Sequence, residues 1–97
     1  TKVAISIPLE TMVKSIDVIK LSNQMIKIGN SNSLSDVGVA SECAYSAFNG
    51  ALLNVRINLN SISDKGYVQK INKKCLLLTK QVNKQIFISR DMIKKKI

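Results

Sequence analysis

The chain has 97 residues, of which 45% are hydrophobic and 4% are aromatic, so it suits one globular domain with an aliphatic core and is not disordered. Its formal net charge is +9, from 15 lysines and arginines against 6 acidic residues. Histidine is absent, which excludes an imidazole base, a Ser-His-Asp triad and a histidine metal site. Only one proline and four glycines interrupt the sequence, so we expect a few long helices.

The first predicted element is a helix that begins at Pro8, where proline suits the first turn, and ends with Gly29 as its C-cap. Apolar residues recur along it at steps of three and four, which is typical of a helix face. This face contains Leu9, Met12, Val13, Ile16, Ile19, Asn23 and Ile26, and a second face contains Val18, Leu21, Met25 and Ile28. A helix with two apolar faces requires two neighbours.

The second predicted helix runs over residues 35–60, after a polar turn in which Ser33 or Ser35 is the expected N-cap. Asp36 falls in its first turn, where the helix dipole favours a negative charge. Most of the helix is small or apolar, and only Glu42 and Arg56 carry charge after Asp36. This composition predicts a helix that is buried on most sides at the centre of a bundle.

The third predicted helix begins near Asp64, and its apolar residues form a seam with the spacing of a left-handed bundle. The seam contains Val68, Ile71, Cys75, Leu78, Val82, Gln85, Ser89 and Met92. Lysines at 94–96 suit the negative end of the helix. Three long helices joined by short turns predict an all-α, antiparallel up-down-up bundle that forms one domain over residues 1–97.

The apolar faces exceed what three helices can bury, so we expect this bundle to be part of a larger or dimeric bundle. The chain opens at Thr1 inside an apolar run, which suggests a piece of a longer protein. No signal peptide is visible, and the apolar stretch over 37–53 contains polar residues, so no membrane partner is predicted. Cys43 and Cys75 are interpreted as reduced core cysteines of a cytoplasmic protein.

Two polar segments are candidate sites. The turn over 29–33 with Ser35 and Asp36 would deliver a carboxylate, amides and hydroxyls to a helix N-terminus that attracts anions or polar rings, or it is simply a capped turn. The segment over 54–58 places Asn54 and Asn58 on one face near Arg56. It is either a ligand-binding patch with an anionic anchor or a buried hydrogen-bonded pair.

These segments carry a family resemblance. The strings Gly29-Asn30-Ser31-Asn32-Ser33 and Ser35-Asp36-Val37-Gly38-Val39-Ala40 resemble the most characteristic segment of the formiminotetrahydrofolate cyclodeaminase family, and Asn54-Val55-Arg56-Ile57-Asn58 is similar to its second signature. Ile7-Pro8-Leu9 resembles the start of the helix that leads into them. The family includes the cyclodeaminase domain of formiminotransferase-cyclodeaminase and bacterial methenyltetrahydrofolate cyclohydrolases. This chain resembles the C-terminal half of that domain.

The resemblance implies an all-helical enzyme that forms a homodimer or a higher oligomer and needs no metal. Its reaction would be closure of 5-formiminotetrahydrofolate to 5,10-methenyltetrahydrofolate with release of ammonia, or hydrolysis of the methenyl form. By resemblance, Asp36 is the proton-handling or pterin-orienting carboxylate, and the residues that contact the substrate are Asn30, Asn32, Ser33, Ser35, Asn54, Arg56 and Asn58. Arg56 would attract the glutamate tail, and the basic surface would suit polyglutamylated folate.

The family domain is longer than this chain, and the glycine-rich segment of its first half has no counterpart here. The chain alone is therefore expected to hold half a site and to be inactive. Two other functions stay open: a non-catalytic helical interaction module that keeps the fold, and a nucleic-acid binder driven by charge. Nucleic acid is not the predicted partner, because no arginine cluster or aromatic platform accompanies the charge and because lysine-rich composition also arises from AT-rich coding. Lysines clustered on one face would favour it.

Overall fold

The computed structural model describes residues 1–29 and 31–97, so Asn30 lies outside the described residues. Its three helices are α1 (Lys2–Ile28), α2 (Leu34–Leu59) and α3 (Lys65–Lys96), and one 3-10 turn (Ser31–Ser33) precedes α2. The described residues contain no strand. The bundle measures 51 × 18 × 15 Å, with α1 and α3 running in the same direction and α2 antiparallel to both. The predicted all-α bundle of three long helices is confirmed.

α1 begins six residues before the predicted start, because Pro8 lies inside the helix rather than at its first turn. Thr1 caps the earlier start, since its hydroxyl accepts a hydrogen bond of 3.2 Å from the amide of Ala4. Ile5, one turn before the proline, is fully buried. Burial of this first turn therefore outweighs the backbone hydrogen bond that proline cannot donate.

The other boundaries lie within a residue or two of the predictions. Gly29 caps α1 in an extended conformation, and its N–H donates to the carbonyl of Met25 over 2.7 Å. A Cβ at Gly29 would lie 2.6 Å from that same oxygen, so only glycine fits this close approach. Asp64 is the N-cap of α3 and accepts from the amide of Tyr67 over 3.1 Å.

All three helices contribute to the main core, with Phe48 of α2 as its largest fully buried side chain. From α3 the predicted seam enters this core through Ile71, Cys75, Leu78 and Val82. A second, smaller cluster of Ile26, Leu34 and Val37 packs against Met92 and Ile93 at the other end. This small cluster holds the start of α2 in place next to the polar turn.

A polar layer lies between the two apolar clusters. The hydroxyl of Ser41 donates to Ser89 over 2.8 Å, and Ser89 donates to the side-chain oxygen of Asn23. The amide nitrogen of Asn23 in turn donates to the backbone and side-chain oxygens of Gln85, both over 3.1 Å. One residue from α1, one from α2 and two from α3 take part, so the layer fixes the helices in register. These hydrogen bonds explain why the polar residues Asn23, Gln85 and Ser89 occupy positions on otherwise apolar helix faces.

Phe48→Ala is expected to reduce the free energy of unfolding by about 3–5 kcal/mol, because it leaves a cavity at the centre of the main core. The chain's other phenylalanine is a matched control, since Phe87 is 69% exposed. We expect Phe87→Ala to change the stability by less than about 0.5 kcal/mol. Urea unfolding followed by circular dichroism measures both values. Equal losses in the two variants would contradict the placement of the core.

Part of the apolar surface stays exposed, as the composition predicted. The second face of α1 is solvent-exposed at Val18, Leu21, Met25 and Ile28. α2 also presents a whole line of exposed small residues, so this chain alone does not enclose α2 on most sides. Cys43 belongs to this line and is exposed, which makes its prediction as a core cysteine wrong, whereas Cys75 is buried as predicted.

Candidate functional site

The polar corner between α1 and α2 presents its groups on different sides of one helix end. Asn32 is exposed and Ser33 is half-buried in the 3-10 turn. Ser35 and Asp36 are exposed in the first turn of α2, close to the positive end of its helix dipole. Ser33 is the N-cap residue by position, but its side chain makes no capping hydrogen bond. Asp36 therefore supplies the negative charge that the helix N-terminus favours.

Two depressions adjoin this corner. A cavity of about 250 Å³ contains Ser31 and Ser33 together with Lys96, whose ammonium group donates to the carbonyl of Ile26 over 2.8 Å. A groove of about 580 Å³ between α2 and α3 contains Ser35 at one end and Lys94 on its α3 wall. Asp36 lines neither depression. Serines of the corner therefore line both depressions, whereas the carboxylate of Asp36 lies outside them.

An ion pair closes part of the groove between α2 and α3. Arg90 donates two hydrogen bonds to Glu42, over 2.8 and 2.7 Å, and its guanidinium lies 5.1 Å from the ring centre of Tyr45. The hydrogen bond from Arg90 lowers the pKa of Glu42 below the ordinary glutamate value. Both side chains are about half exposed. The pair therefore links the two helices with at most about 1 kcal/mol.

This ion pair predicts a small stability difference that depends on pH. Because the folded pKa of Glu42 is the lower one, its contribution is present above the unfolded value of about 4.3 and is lost as the pH falls through the folded value. We expect wild type to be more stable than Glu42→Gln at neutral pH, by less than about 1 kcal/mol. The two melting temperatures should converge in acid. A gap of constant size at all pH values would show that the charge of Glu42 is not the cause.

The second polar segment lies at the other end of α2. Asn58 is half-buried, and its side-chain amide donates to the carbonyl of Asn54 over 2.8 Å. Asn54 is exposed and lines a shallow cavity against α1. Arg56 is exposed, but at 100° per residue it lies about 160° around the helix from Asn58 and faces the opposite flank. Asn54 and Asn58 thus share a face that Arg56 does not.

Asp36 and Asn54 lie on one line along α2, since they are 18 residues, or five helical turns, apart in the sequence. Every position on this line is exposed, and its members follow steps of four, three, four, three and four. We name it the small-residue stripe; it contains Asp36, Ala40, Cys43, Ala47, Gly50 and Asn54. The sequence analysis missed this stripe, although the same spacing that revealed the core seams would have revealed it.

The small-residue stripe forms the floor of a groove beside α1. Two adjoining cavities, of about 470 and 320 Å³, share Thr11 and Ala47 and together extend from Ala40 to Asn54. A Cβ added at Gly50 would meet no atom within 4 Å. Small side chains let a second helix approach closely, so the groove has the shape of a helix-packing surface without its partner helix.

One chain does not unite the two polar segments. Asp36 and Asn54 are separated by about 27 Å along the helix axis, at 1.5 Å per residue. The corner residues Asn32, Ser33 and Ser35 cluster with Asp36, whereas Asn58 and Arg56 lie with Asn54 at the far end. The residues predicted to contact one substrate therefore lie in two separate groups at opposite ends of α2, which we call the proposed half-sites.

The described residues contain neither a metal-binding cluster nor a membrane-spanning helix. Across 1–29 and 31–97, no group of three histidine, cysteine, aspartate or glutamate side chains could hold a metal ion. Within the same part of the chain, no helix has the length and apolarity needed to span a membrane. Burial raises the pKa of the Cys75 thiol, so this cysteine is an inert core residue.

Comparison with known families gives a match that spans both polar segments. The family model described as formiminotransferase-cyclodeaminase matches residues 1–76, which include the corner, all of α2 and both half-sites. The chain belongs to the formiminotransferase-cyclodeaminase family. The remainder of α3, from residue 77 onward, lies outside the matched segment.

A curated relative gives the same assignment. The methenyltetrahydrofolate cyclohydrolase of Methylorubrum extorquens is 33% identical to the chain over 69 residues, which cover 71% of this chain. The chain spans about a third of the length of that relative, since the match covers 33% of it. No solved structure gives a significant match to this member of the formiminotransferase-cyclodeaminase family.

Proposed function

We propose that the chain forms part of a folate-converting enzyme, either a cyclodeaminase that makes 5,10-methenyltetrahydrofolate or a cyclohydrolase that opens it. The observation that carries the proposal is the family match across both half-sites. The named activity of the Methylorubrum relative adds support for the hydrolytic reaction. Asp36 is proposed as the proton-handling carboxylate, and Asn30, Asn32, Ser33 and Ser35 as the groups that hold the pterin ring.

Both reactions require a group that moves one proton. In cyclisation, N10 forms a bond to the carbon of the protonated formimino group, and the bond from that carbon to the departing NH2 nitrogen breaks. The N10 proton is transferred to this nitrogen, which leaves as ammonia, and the methenyl product keeps the positive charge. In hydrolysis, water adds to the methenyl carbon, one ring carbon–nitrogen bond breaks and a proton is released. A carboxylate near the positive end of a helix is suitably placed to act as a base or an orienting group. Asp36 has this position.

A second copy of the chain is proposed to complete the site. The small-residue stripe has symmetric spacing about its midpoint between Cys43 and Ala47. If two α2 helices pack antiparallel on their stripes, Cys43 faces Ala47 and Ala40 faces Gly50 of the other copy. Asp36 then meets Asn54 of the second copy at each end, and two equivalent sites form. This packing would bring the two proposed half-sites together.

The folate tail is proposed to lie along cations near the corner. Arg56, predicted as its anchor, faces the flank of α2 away from the small-residue stripe. Lys94 and Lys96 line the two depressions that contain Ser35 and Ser33, so they are better placed for the carboxylates of a glutamate chain. A polyglutamylated substrate would gain more from them than a monoglutamate.

Turnover assays test the proposed function on the natural protein that carries this chain. One assay follows loss of methenyltetrahydrofolate above its spontaneous rate, and a second follows ammonia release from formiminotetrahydrofolate. Activity in the first alone assigns a cyclohydrolase, and activity in the second assigns a cyclodeaminase. Absence of both, with no thermal shift on addition of 5-formyltetrahydrofolate, would leave a helical interaction module that keeps the family fold.

A further inference from the structure

The positive charge of the chain is concentrated on a single helix. α3 carries ten of the fifteen lysines and arginines but one of the six acidic residues, Asp91. The rest of the chain has five residues of each sign and is neutral overall. The whole net charge of +9 therefore lies on α3, and the sequence analysis gave clustered lysines as a feature that favours a nucleic-acid partner.

The lysines of α3 face directly away from the core. Residues two positions after the core seam lie about 200° around the helix, and they repeat the steps of three and four. We name this line the lysine face; it contains Lys70, Lys73, Leu77, Lys80, Lys84 and Phe87. All six side chains are exposed, and the face is about 26 Å long at 1.5 Å per residue.

The lysine face has unneutralised charge and exposed apolar groups at the same place. Among residues 1–29 and 31–97, none of its four lysines forms an ion pair. Leu77 is 58% exposed and Phe87 is 69% exposed, and Leu76 beside them is 61% exposed. A surface of this kind would suit a partner that is anionic and also accepts apolar side chains.

We propose that the lysine face is a docking surface for an anionic phospholipid bilayer. Lipid headgroups would neutralise the lysines, and Leu77 and Phe87 would enter the boundary between headgroups and acyl chains. A nucleic-acid backbone matches the charge, but it offers no apolar region for Leu77 and Phe87. The two tyrosine rings are also poorly placed to stack on nucleic-acid bases, because both are half-buried and are covered by Lys2 and Arg90.

A second copy of the chain does not suit this face, because two α3 helices of the same charge repel each other. The proposed self-association uses the α1–α2 side, which has no net charge and contains the small-residue stripe. The two surfaces lie on different helices, so bilayer docking and the proposed folate site can operate in one molecule. Lys80, Lys84 and Phe87 also lie beyond the segment that the family model matches. With Leu77, more than half of the lysine face therefore lies outside the matched segment.

Co-sedimentation with vesicles tests the proposal on the natural protein. We expect binding to phosphatidylcholine vesicles that contain phosphatidylglycerol, weak binding to phosphatidylcholine alone, and loss of binding in high salt. The double variant Lys73→Gln and Lys80→Gln should weaken binding on the order of 20-fold, at about fivefold per lysine. The matched control neutralises two exposed lysines of α1, Lys20→Gln and Lys27→Gln, and should bind almost as wild type.

Phe87→Ser separates the bilayer from nucleic acid. It removes an apolar group without changing the charge, so vesicle binding should fall severalfold and binding to duplex DNA should not change. Binding to DNA with no binding to vesicles would overturn the proposal in favour of a nucleic-acid surface. Equal weakening by the α1 control, or no binding to anionic vesicles, would also overturn it. None of these outcomes depends on folate turnover.

Discussion

Replacing Asp36 by asparagine is expected to lower kcat by about 10²–10⁴-fold, the range for loss of a positioned proton-transfer group. The substitution keeps the size of the side chain and removes its charge and its ability to accept a proton. Asp36 is exposed and lies outside both core clusters, so the fold should persist. Steady-state kinetics with the natural protein, together with circular dichroism, measures the effect.

The matched control for this prediction is Asp17→Asn, because Asp17 is an exposed carboxylate in the middle of α1. It should leave kcat within about twofold of wild type, as expected for a surface change away from the site. A KM rise without a change in kcat in Asp36→Asn would restrict Asp36 to holding the pterin ring. Unchanged kcat and KM would remove Asp36 from the site.

Gly50→Leu is expected to abolish dimer formation and turnover while the monomer becomes more stable. Gly50 lies in the interior of α2, where leucine is favoured over glycine by about 0.5–1 kcal/mol. The monomer has open space at this position, since an added Cβ meets nothing within 4 Å. In the proposed dimer, however, Gly50 faces Ala40 of the second copy, and a leucine there holds the two α2 helices apart.

Gly66→Leu controls for the general effect of replacing an exposed helical glycine. Gly66 lies in the first turn of α3, and its added Cβ would make only an ordinary contact of 3.6 Å with Asp64. We expect Gly66→Leu to keep the dimer and the activity. Sedimentation velocity reports the oligomeric state and chemical unfolding reports monomer stability. A dimeric, active Gly50→Leu protein would show that α2 does not pack on its small-residue stripe.

The sequence predicted the bundle well, because burial and periodicity depend on the same residues. The α3 seam is buried where its spacing placed it, and Asp64 caps the helix as its side chain suggested. The predicted start of α1 was wrong, because the preference of proline for the first helical turn was applied without knowledge that Ile5 is buried. That burial is a tertiary property, and propensities of single residues do not contain it.

The candidate site was less predictable, for a geometric reason. The resemblance treated the corner and the segment over 54–58 as one pocket, but α2 holds them at opposite ends. The sequence analysis also assumed that the apolar middle of α2 is buried. It therefore placed Cys43 in the core, but Cys43 lies on the exposed small-residue stripe. Sequence patterns show which residues share a face; they do not show whether the same chain covers it. The symmetric spacing of the small-residue stripe was a partial indication that another chain covers this face.

Mixing two inactive variants tests the shared site most directly. Asp36→Asn and Asn54→Ala are purified separately, mixed in equal amounts under conditions that allow subunit exchange, and assayed for turnover. If each site joins Asp36 of one copy to Asn54 of the other, heterodimers contain one unaltered site, and activity returns to about a quarter of wild type. If both residues act within one copy or do not act at all, the mixture stays at the mean of the two variants, and the account of a site completed between copies is wrong.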